Sequence, residues 1–339
     1  MSKQRSAVLP GKQQQLVVQD VDIPTPGANE LLIRTHSAAF NPVDYKIQEM
    51  GRFFEEFPRV LGFDAAGTVE AVGSDVKGYA KGDKVFAFIP TFAVSGATTV
   101  YGGFQQYTLV GDVATAKLPD NIDFDSASTI PLTLSTAADG LYNFLKIKAP
   151  WENSSVSDEY LLVWGGASSV GQAAIQLAKA VGYKVIATAS KSGHETLKKL
   201  GADFTIDYND KDVVEQISNI TEGKLSLVYD SISTAETIPL VLKTLPNGGK
   251  VSFVQLTPET VKIDCPSNIT YARAFAATVY TSHKELGGKL FQWVAKALAD
   301  GRYKPNPVEL RKGGVDAVQA TLDFYKKEGI RGKKFVLNP

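Results

Sequence analysis

A short glycine-containing turn is the segment of this chain whose residue types are suited to holding a nucleotide. An apolar run, Tyr160–Trp164, precedes it, and Val170–Val181 after it has the apolar spacing of a helix. Strand, tight turn and helix start together present backbone N–H groups and the positive helix end to a pyrophosphate. Ser168 stands at the middle glycine position of the G-x-G-x-x-G pattern. We expect a dinucleotide to be bound by Gly166, Ser168, Ser169, Val170 and Gly171.

The residues after the second predicted strand indicate which dinucleotide this is. NAD sites usually place a carboxylate there to bind the ribose 2′-OH. This chain has Ser190 and Lys191 instead, and Tyr208 follows the third strand. Hydroxyl and ammonium groups are suited to a 2′-phosphate, because charge-assisted hydrogen bonds to phosphate are strong. The pattern predicts NADPH. A solvated helix cap followed by a surface lysine is the alternative that stays open.

The elements around this turn alternate between strand and helix. Predicted strands lie at Tyr160–Trp164, Lys184–Ala189, Thr205–Asp207, Leu225–Asp230, Gly249–Leu256 and Ile269–Tyr280, and predicted helices at Val170–Val181, His194–Leu200, Lys211–Asn219 and Thr234–Leu245. Such alternation indicates a parallel sheet covered on both faces. The fold class is therefore α/β, with a Rossmann-type doubly wound sheet in residues 128–285.

The first part of the chain has a different pattern. Short, partly alternating strands are predicted at Leu16–Val21, Glu30–Ser37, Ala65–Val72, Lys84–Phe88 and Gln105–Val110, with little helix before Asp125. This spacing is typical of a β-barrel. The closing elements, a helix at Leu286–Ala299, a second at Val315–Lys327 and a strand at Lys334–Leu337, are too few for a domain. We expect residues 286–339 to return to the barrel formed by residues 1–127.

Composition excludes several functional classes. The chain has 339 residues, a formal net charge of +0 and a single cysteine, Cys265. A neutral chain does not favour nucleic acid or an anionic membrane as its main partner. One cysteine permits neither an internal disulfide nor a cysteine-built zinc site. With no apolar signal core or membrane-length apolar run, a cytoplasmic location is expected.

Several short motifs, in order, resemble one known family over nearly the whole chain. They are Asn41–Lys46 (NPVDYK), Leu61–Val69 (LGFDAAGTV), Gly82–Val85 (GDKV), Gly102–Tyr107 (GGFQQY), Pro131–Ala137 (PLTLSTA) and Leu200–Asp203 (LGAD). Together they resemble the zinc-independent quinone oxidoreductase and enoyl reductase branch of the medium-chain dehydrogenase/reductases, including fungal trans-acting enoyl reductases. The resemblance implies a Rossmann-type domain inserted into a GroES-like β-barrel domain.

The zinc ligands of the related alcohol dehydrogenases are missing from these motifs. Where those enzymes have Gly-His-Glu, this chain has Gly62-Phe63-Asp64, and phenylalanine cannot bind a metal. The three histidines, His36, His194 and His283, show no ligand spacing. We expect no metal. Without a Lewis acid, hydrogen-bond donors must polarise the substrate carbonyl, which favours reduction of a conjugated double bond.

The resemblance also implies roles for individual residues. Asn41 and Asp44 are expected beside the nicotinamide, with Tyr45 and Lys46 facing the substrate as proton donor or oxyanion stabiliser. Thr136 is expected near the nicotinamide carboxamide or ribose. Alternatives stay open: Tyr45 and Lys46 as rim residues without a chemical role, Asp44 as a turn cap, and Thr136 as a helix-interior hydroxyl. Further cofactor contacts are expected from Ser231, Val254, Gln255 and Lys333.

Three functional hypotheses follow. The first is an NADPH-dependent reductase of the activated double bond of an α,β-unsaturated carbonyl, with an enone or acyl-thioester (enoyl) substrate. The second is reduction of quinones or aldehydes with the same cofactor. The third, from another class, is a non-catalytic NADPH-binding protein. A monomer and a homodimer are both compatible with the sequence, with Ile269–Tyr280 as the candidate subunit edge.

Overall fold

A computed structural model describes residues 2–51, 53–96, 98–152, 158–254 and 263–339. The chain forms two compact units, of which the first comprises Met1–Leu132 with Ala277–Pro339 and the second Thr133–Ala276. The expected limits, 127/128 and 285/286, lie near these boundaries.

Eight strands come from the N-terminal part of the first unit. They are β1 (Lys3–Leu9), β2 (Val17–Asp22), β3 (Glu30–Ala39), β4 (Arg59–Val60), β5 (Asp64–Val72), β6 (Lys84–Phe88), β7 (Tyr107–Gly111) and β8 (Thr115–Lys117). Strands β2, β1 and β4 form a small sheet, while β3, β5, β6 and β8 are consecutive in a larger one, where β7 also pairs with β3. Alternate apolar residues of the larger sheet, including Leu31, Ile33, Val69 and Val85, are fully buried and form a core.

Two helices accompany these strands, α1 (Pro42–Met50) and α2 (Phe124–Ser128), whereas α3 (Pro131–Ala138) begins at the end of the first unit and lies mostly in the second. The described residues before Asp125 contain little helix, as expected, but the nine-residue helix α1 was not foreseen. Pro42 at its first position suits the fixed φ of proline, and the Asp44 carboxylate accepts the Asn41 N–H at 2.7 Å. The side chains that suggested a turn therefore start a helix.

The second unit contains a six-stranded parallel sheet with helices between its strands. Its elements are β9 (Tyr160–Trp164), α4 (Ser169–Lys179), β10 (Lys184–Thr188), α5 (His194–Lys199), β11 (Phe204–Ile206), α6 (Val213–Thr221), β12 (Leu227–Asp230), α7 (Thr237–Lys243), β13 (Gly249–Phe253) and β14 (Ile269–Arg273). The strand order is β11-β10-β9-β12-β13-β14. The chain reverses direction across the sheet between β9 and β12. Ligands bind at the carboxyl ends of the strands beside such a reversal.

The last predicted strand of this sheet was too long. Strand β14 ends at Arg273, and Ala276–Tyr280 is a 3₁₀ turn. The Tyr280 hydroxyl donates to the Phe88 carbonyl, and the two rings lie 5.7 Å apart. These contacts tie the turn to the first unit and explain why the boundary precedes residue 277. Strand β13 likewise ends at Phe253, before the predicted Leu256.

The chain then returns to the first unit, as expected. The closing elements are α8 (Lys284–Ala299), β15 (Val308–Arg311), α9 (Val318–Glu328) and β16 (Lys334–Leu337). Strand β16 pairs antiparallel with β3, Val336 facing Ala39, and parallel with β15. This pairing extends the larger sheet to seven strands and confirms a Rossmann-type sheet inserted into a β-rich domain. Within the described residues, no helix combines the length and apolar character needed to cross a bilayer.

Candidate cofactor-binding and active site

The turn after β9 requires glycine at a position that the sequence pattern did not include. Gly165 has φ +75°, and a Cβ on it would lie 2.3 Å from the Ile232 side chain. Only glycine adopts this backbone without strain. In the sequence, the Gly165-Gly166 pair directly after a buried strand is the feature that could have indicated this requirement for glycine. Gly166 is needed for close packing, because a Cβ there would lie 3.0 Å from the Ala187 Cβ.

Gly171 brings the first turn of α4 against this turn. A Cβ at residue 171 would lie 2.5 Å from the Gly165 carbonyl oxygen and 2.8 Å from the Gly166 Cα. Both neighbours are backbone atoms and cannot rotate away. The close approach of helix and turn is the arrangement in which backbone amides surround a phosphate.

Ser168, which replaces the middle glycine, caps this helix. Its Oγ accepts the Gly171 N–H at 3.0 Å. The amides of Ser169 and Val170 come before it in the first helical turn, where no intrahelical acceptor exists. These two N–H groups at the positive helix end are suited to an anion.

Ser231 supports the turn from the end of β12. Its hydroxyl lies 2.7 Å from the Trp164 carbonyl oxygen and 2.9 Å from that of Gly165, and it accepts a hydrogen bond from Ser168 at 2.9 Å. One hydroxyl thus connects both ends of the turn. The expected cofactor contact of Ser231 stays a prediction, while its bracing of the turn is observed.

The predicted 2′-phosphate residues lie beside one another. Strand pairing sets Thr188 opposite Ile206, so Ser190 and Tyr208 each follow their strand by two residues. Lys191 and Tyr208 are exposed, and Ser190 is half-buried. The ring nitrogen Nε2 of His194 lies 3.1 Å from the Ala189 carbonyl oxygen. This contact links the first residue of α5 to the segment that follows β10.

A carboxylate that the sequence analysis overlooked lies next to this group. Asp207 accepts the Asn209 N–H at 2.9 Å, and this hydrogen bond is the main cause that lowers the pKa of Asp207. Burial opposes the shift, and the backbone N–H and charge of Lys191 add to it. A ribose-binding carboxylate is expected after the second strand, β10, whereas this one follows the neighbouring strand β11.

In the first unit, four polar side chains form a buried cluster. The Lys334 Nζ donates to Asp64 Oδ2 at 2.6 Å and to Asn41 Oδ1 at 2.9 Å, and the Asn41 amide donates to Asp64 at 2.9 Å. Asp44 joins this cluster because its carboxylate accepts the backbone N–H of Asn41. Each of the four side chains is at most 2% exposed. Asn41 and Asp44 were predicted site residues, whereas Asp64 and Lys334 were not.

Burial raises the pKa of Asp44 to about 7 from 3.8. Its two oxygens accept the N–H groups of Asn41 (2.7 Å) and Gly62 (3.0 Å), and these hydrogen bonds oppose the shift. The charge of Asp64 raises this pKa further, and that of Lys334 lowers it. The protonation of Asp44 therefore depends on the two charged neighbours.

The structure distinguishes two adjacent lysines. The side chain of Lys333, a predicted cofactor residue, is 53% exposed and its Nζ lies 3.8 Å from Glu309. Lys334 is the lysine that reaches Asn41. All four residues of β16 are buried, so the alternation that separates inward from outward positions is absent from this strand.

Tyr45 and Lys46 lie on α1 and are half-buried. The Tyr45 ring packs 5.6 Å from that of Tyr325 and borders a polar pocket of about 320 Å³ with Gln48 and Gln319. Burial raises the pKa of Tyr45 and lowers that of Lys46, and the negative charge of Glu49 raises both pKa values.

The remaining predicted residues belong to the second unit. Thr136 is buried in α3, and its carbonyl oxygen accepts the Tyr229 hydroxyl at 3.0 Å. The Val254 N–H donates to the Asp230 carbonyl oxygen and to Ser233, both at 3.1 Å. Gln255 lies outside the described residues. None of these contacts tests a role in binding.

No group of three or more His, Cys, Asp or Glu side chains in the described part of the chain is arranged to hold a metal ion. Phe63, at the position of a zinc-binding histidine in the related enzymes, is fully buried and stacks 4.5 Å from Phe92. The next residue, Asp64, is engaged by Lys334, Asn41 and the Leu132 N–H.

Comparison with known proteins identifies the family. The profile of the alcohol dehydrogenase GroES-like domain matches residues 27–120, and the profile of zinc-binding dehydrogenases matches residues 169–296. "Dehydrogenase orf1" of Aspergillus niger is 33% identical and covers 98% of each chain. "Trans-enoyl reductase himH" of Aspergillus japonicus is 31% identical, covering 91% of this chain and 89% of the relative.

The fold is shared with solved structures. An alcohol dehydrogenase superfamily protein from Novosphingobium aromaticivorans superposes with a TM-score of 0.82 over 99% of both chains, at 24% identity. Together with the two profile matches and the full-length relatives, this shows that the chain belongs to the medium-chain dehydrogenase/reductase superfamily and is an oxidoreductase.

Proposed function

We propose that the protein is a zinc-independent, NADPH-dependent reductase of the activated double bond of an α,β-unsaturated carbonyl. The observation that carries the cofactor part is the phosphate turn, with two first-turn amides and a neighbouring Ser190, Lys191 and Tyr208 group. The name of the relative "Trans-enoyl reductase himH" supports the substrate class, an enone or an enoyl thioester.

The residues of the second unit fit such a cofactor. Gly165, Gly166 and Gly171 let the turn pack closely against its neighbours and α4, and the Ser169 and Val170 amides at the helix start would bind a diphosphate. Lys191 would neutralise the 2′-phosphate, with hydroxyls from Ser190 and Tyr208. Asp207 would keep the backbone of Lys191 in place through its N–H. NADPH, when bound, supplies the hydride.

The surroundings of Phe63 and Asp64 support a metal-free reaction. A buried phenyl ring has no donor atom for a metal, and the Asp64 carboxylate already accepts three hydrogen bonds. Polarisation of the carbonyl would then come from hydrogen-bond donors, whose effect is worth a few kcal/mol in a water-excluded site.

Lys46 is the stronger candidate for donating a proton or stabilising an oxyanion. Burial lowers the pKa of its ammonium, which makes this group a better proton donor than an ordinary lysine. Tyr45 would be a weaker acid, because burial raises the pKa of its hydroxyl, and its ring packs on Tyr325. Thr136 would bind the nicotinamide ribose or carboxamide, as its Pro131–Ala137 motif suggests.

The direct test is oxidation of NADPH at 340 nm with enones, enoyl thioesters, quinones and aldehydes, with NADH in parallel and with and without chelator. Turnover of a conjugated alkene with NADPH, unaffected by chelator, is expected. Turnover of quinones or aldehydes alone would show that the substrate is a quinone or an aldehyde and not a conjugated alkene. NADPH binding without turnover of any substrate would favour a non-catalytic binding protein.

The cofactor preference has its own test in Lys191→Ala. Removing a charge that pairs with the 2′-phosphate is expected to weaken NADPH binding about tenfold or more and NADH binding less than twofold. Lys198→Ala is the matched control, because this exposed lysine pairs with Glu195 on α5. Equal losses for both cofactors in Lys191→Ala would refute the 2′-phosphate assignment.

A further inference from the structure

Lys334 is a buried cation whose position is not explained by the stability of its strand. It begins β16, where Phe335, Val336 and Leu337 are apolar and buried. Taking an ammonium and a carboxylate out of water is costly, and apolar residues in place of a buried pair are often as stable or more stable. The ion pair of Lys334 with Asp64, 2.6 Å long and almost fully buried, therefore needs another explanation.

The pair selects one orientation of the Asn41 side chain. Lysine only donates hydrogen bonds, and an ionised carboxylate only accepts them. Asn41 Oδ1 therefore faces Lys334 at 2.9 Å, and its Nδ2 faces Asp64 at 2.9 Å. A half-turn of the amide would set Nδ2 against the ammonium and Oδ1 against the carboxylate, so the second orientation is strongly disfavoured.

The buried carboxylates of Asp44 and Asp64 also hold the backbone near Asn41 through hydrogen bonds. Asp44 accepts the Asn41 N–H at 2.7 Å and the Gly62 N–H at 3.0 Å. Asp64 also accepts the Leu132 N–H at 2.6 Å. Both the position and the rotation of the Asn41 amide are thus determined by buried charged groups.

We infer that Lys334 and Asp64 are positioning residues, which hold the Asn41 amide in one orientation for recognition of the nicotinamide end of the cofactor. The inference rests on the proposed function, because the nicotinamide role of Asn41 is what the resemblance of the Asn41–Lys46 motif to the reductase family implies. Lys334 and Asp64 act through Asn41 and do not themselves contact the cofactor.

The experiment measures binding rather than turnover. NADPH and 2′,5′-ADP, which has the 2′-phosphate but no nicotinamide, are titrated by calorimetry against the full-length protein. Lys334→Met is expected to weaken NADPH about tenfold, as for the loss of one oriented polar contact, and to change 2′,5′-ADP less than twofold. Lys81→Met is the control and is expected to change neither, because this exposed lysine of the same unit pairs with Glu70 at the surface.

A double variant separates positioning from general damage. Asn41→Ala is expected to show the same selective loss, and adding Lys334→Met to it should cause no further loss, since both act through one amide. Equal losses for NADPH and 2′,5′-ADP in Lys334→Met, or losses that add in the double variant, would overturn the inference. Failure of the wild type to bind NADPH would instead refute the proposed function, and the inference with it.

If Lys334→Met does not fold, Lys334→Arg carries the same comparison. Its guanidinium keeps the charge but presents donors in a different geometry, so a selective loss of NADPH affinity is again expected. Unchanged NADPH affinity in Lys334→Arg would then contradict the need for one oriented amide.

Discussion

Replacing Gly171 by alanine tests whether α4 is pressed against the phosphate turn. The added Cβ would lie 2.5 Å from the Gly165 carbonyl oxygen and 2.8 Å from the Gly166 Cα. Favourable carbon contacts lie at about 3.5–4.0 Å, so the helix or the turn must move by roughly 0.5–1 Å. Neither neighbour is a flexible side chain that could rotate away.

The expected magnitude follows from two opposing effects. Alanine in a helix is favoured over glycine by about 1 kcal/mol, whereas forcing atoms into a packed contact costs roughly 1–3 kcal/mol. Because the contacts are with backbone, the upper part of that range applies. We expect Gly171→Ala to lower the free energy of unfolding by about 1–2 kcal/mol.

Gly288→Ala is the matched control, since an added Cβ on this helical glycine of α8 would meet no atom within 4 Å apart from the backbone of its own helix turn. It should raise the free energy of unfolding by about 1 kcal/mol. Urea unfolding of both variants, each compared with the wild-type transition of the unit that carries it, measures the difference.

Cofactor binding provides the second readout for Gly171→Ala. A shift of the helix start moves the Ser169 and Val170 amides, so NADPH affinity is expected to fall about tenfold. Gly288→Ala should leave the affinity unchanged. If Gly171→Ala stabilises the protein as much as Gly288→Ala and binds NADPH normally, the turn is not closely packed and the reasoning fails.

Two further predictions concern single polar groups. Burial raises the pKa of Asp44 to about 7 from 3.8, so its contribution to stability is complete below pH 3.8 and is lost as the pH rises through 7. The change in unfolding free energy amounts to at most about 4 kcal/mol. Asp44→Asn should show a flatter dependence of unfolding free energy on pH between about 4 and 7. An equally steep curve would exclude Asp44 as the titrating group. Ser231→Ala removes the hydroxyl that joins Trp164, Gly165 and Ser168, so a loss of about 1 kcal/mol of stability and weaker NADPH binding are expected. Unchanged thermal unfolding and affinity would show that this hydroxyl does not brace the turn.

Local sequence predicted the elements that have strong local patterns. Strands Tyr160–Trp164 and Lys84–Phe88 have the predicted bounds, because each is a mostly apolar run that follows an acidic residue and is followed within two residues by glycine or proline. Helix α1 was missed although its signal was present: an Asn N-cap, a Pro at the first position and an Asp at the third predict a helix start. The same residue types are also typical of a turn, so the local pattern by itself does not separate a turn from a helix start.

The candidate site likewise contains residues that local sequence predicts and residues that it does not. The nucleotide turn and its helix are contiguous, so their residues could be named from spacing, apart from Gly165. Asp207 was overlooked because its neighbour Lys191 lies on the adjacent strand connection. That contact depends on strand order, which a single segment does not contain.

The sequence by itself determined the family, the class of fold and the turn suited to a phosphate, since these depend on short segments with their own periodicity. Only the tertiary structure decided that Lys334 rather than Lys333 is buried, and that it meets Asn41 and Asp64. Those partners are 293 and 270 residues away in the chain. Hydrogen bonds over such separations arise from sheet pairing and packing, and they leave no periodic pattern in the amino-acid order.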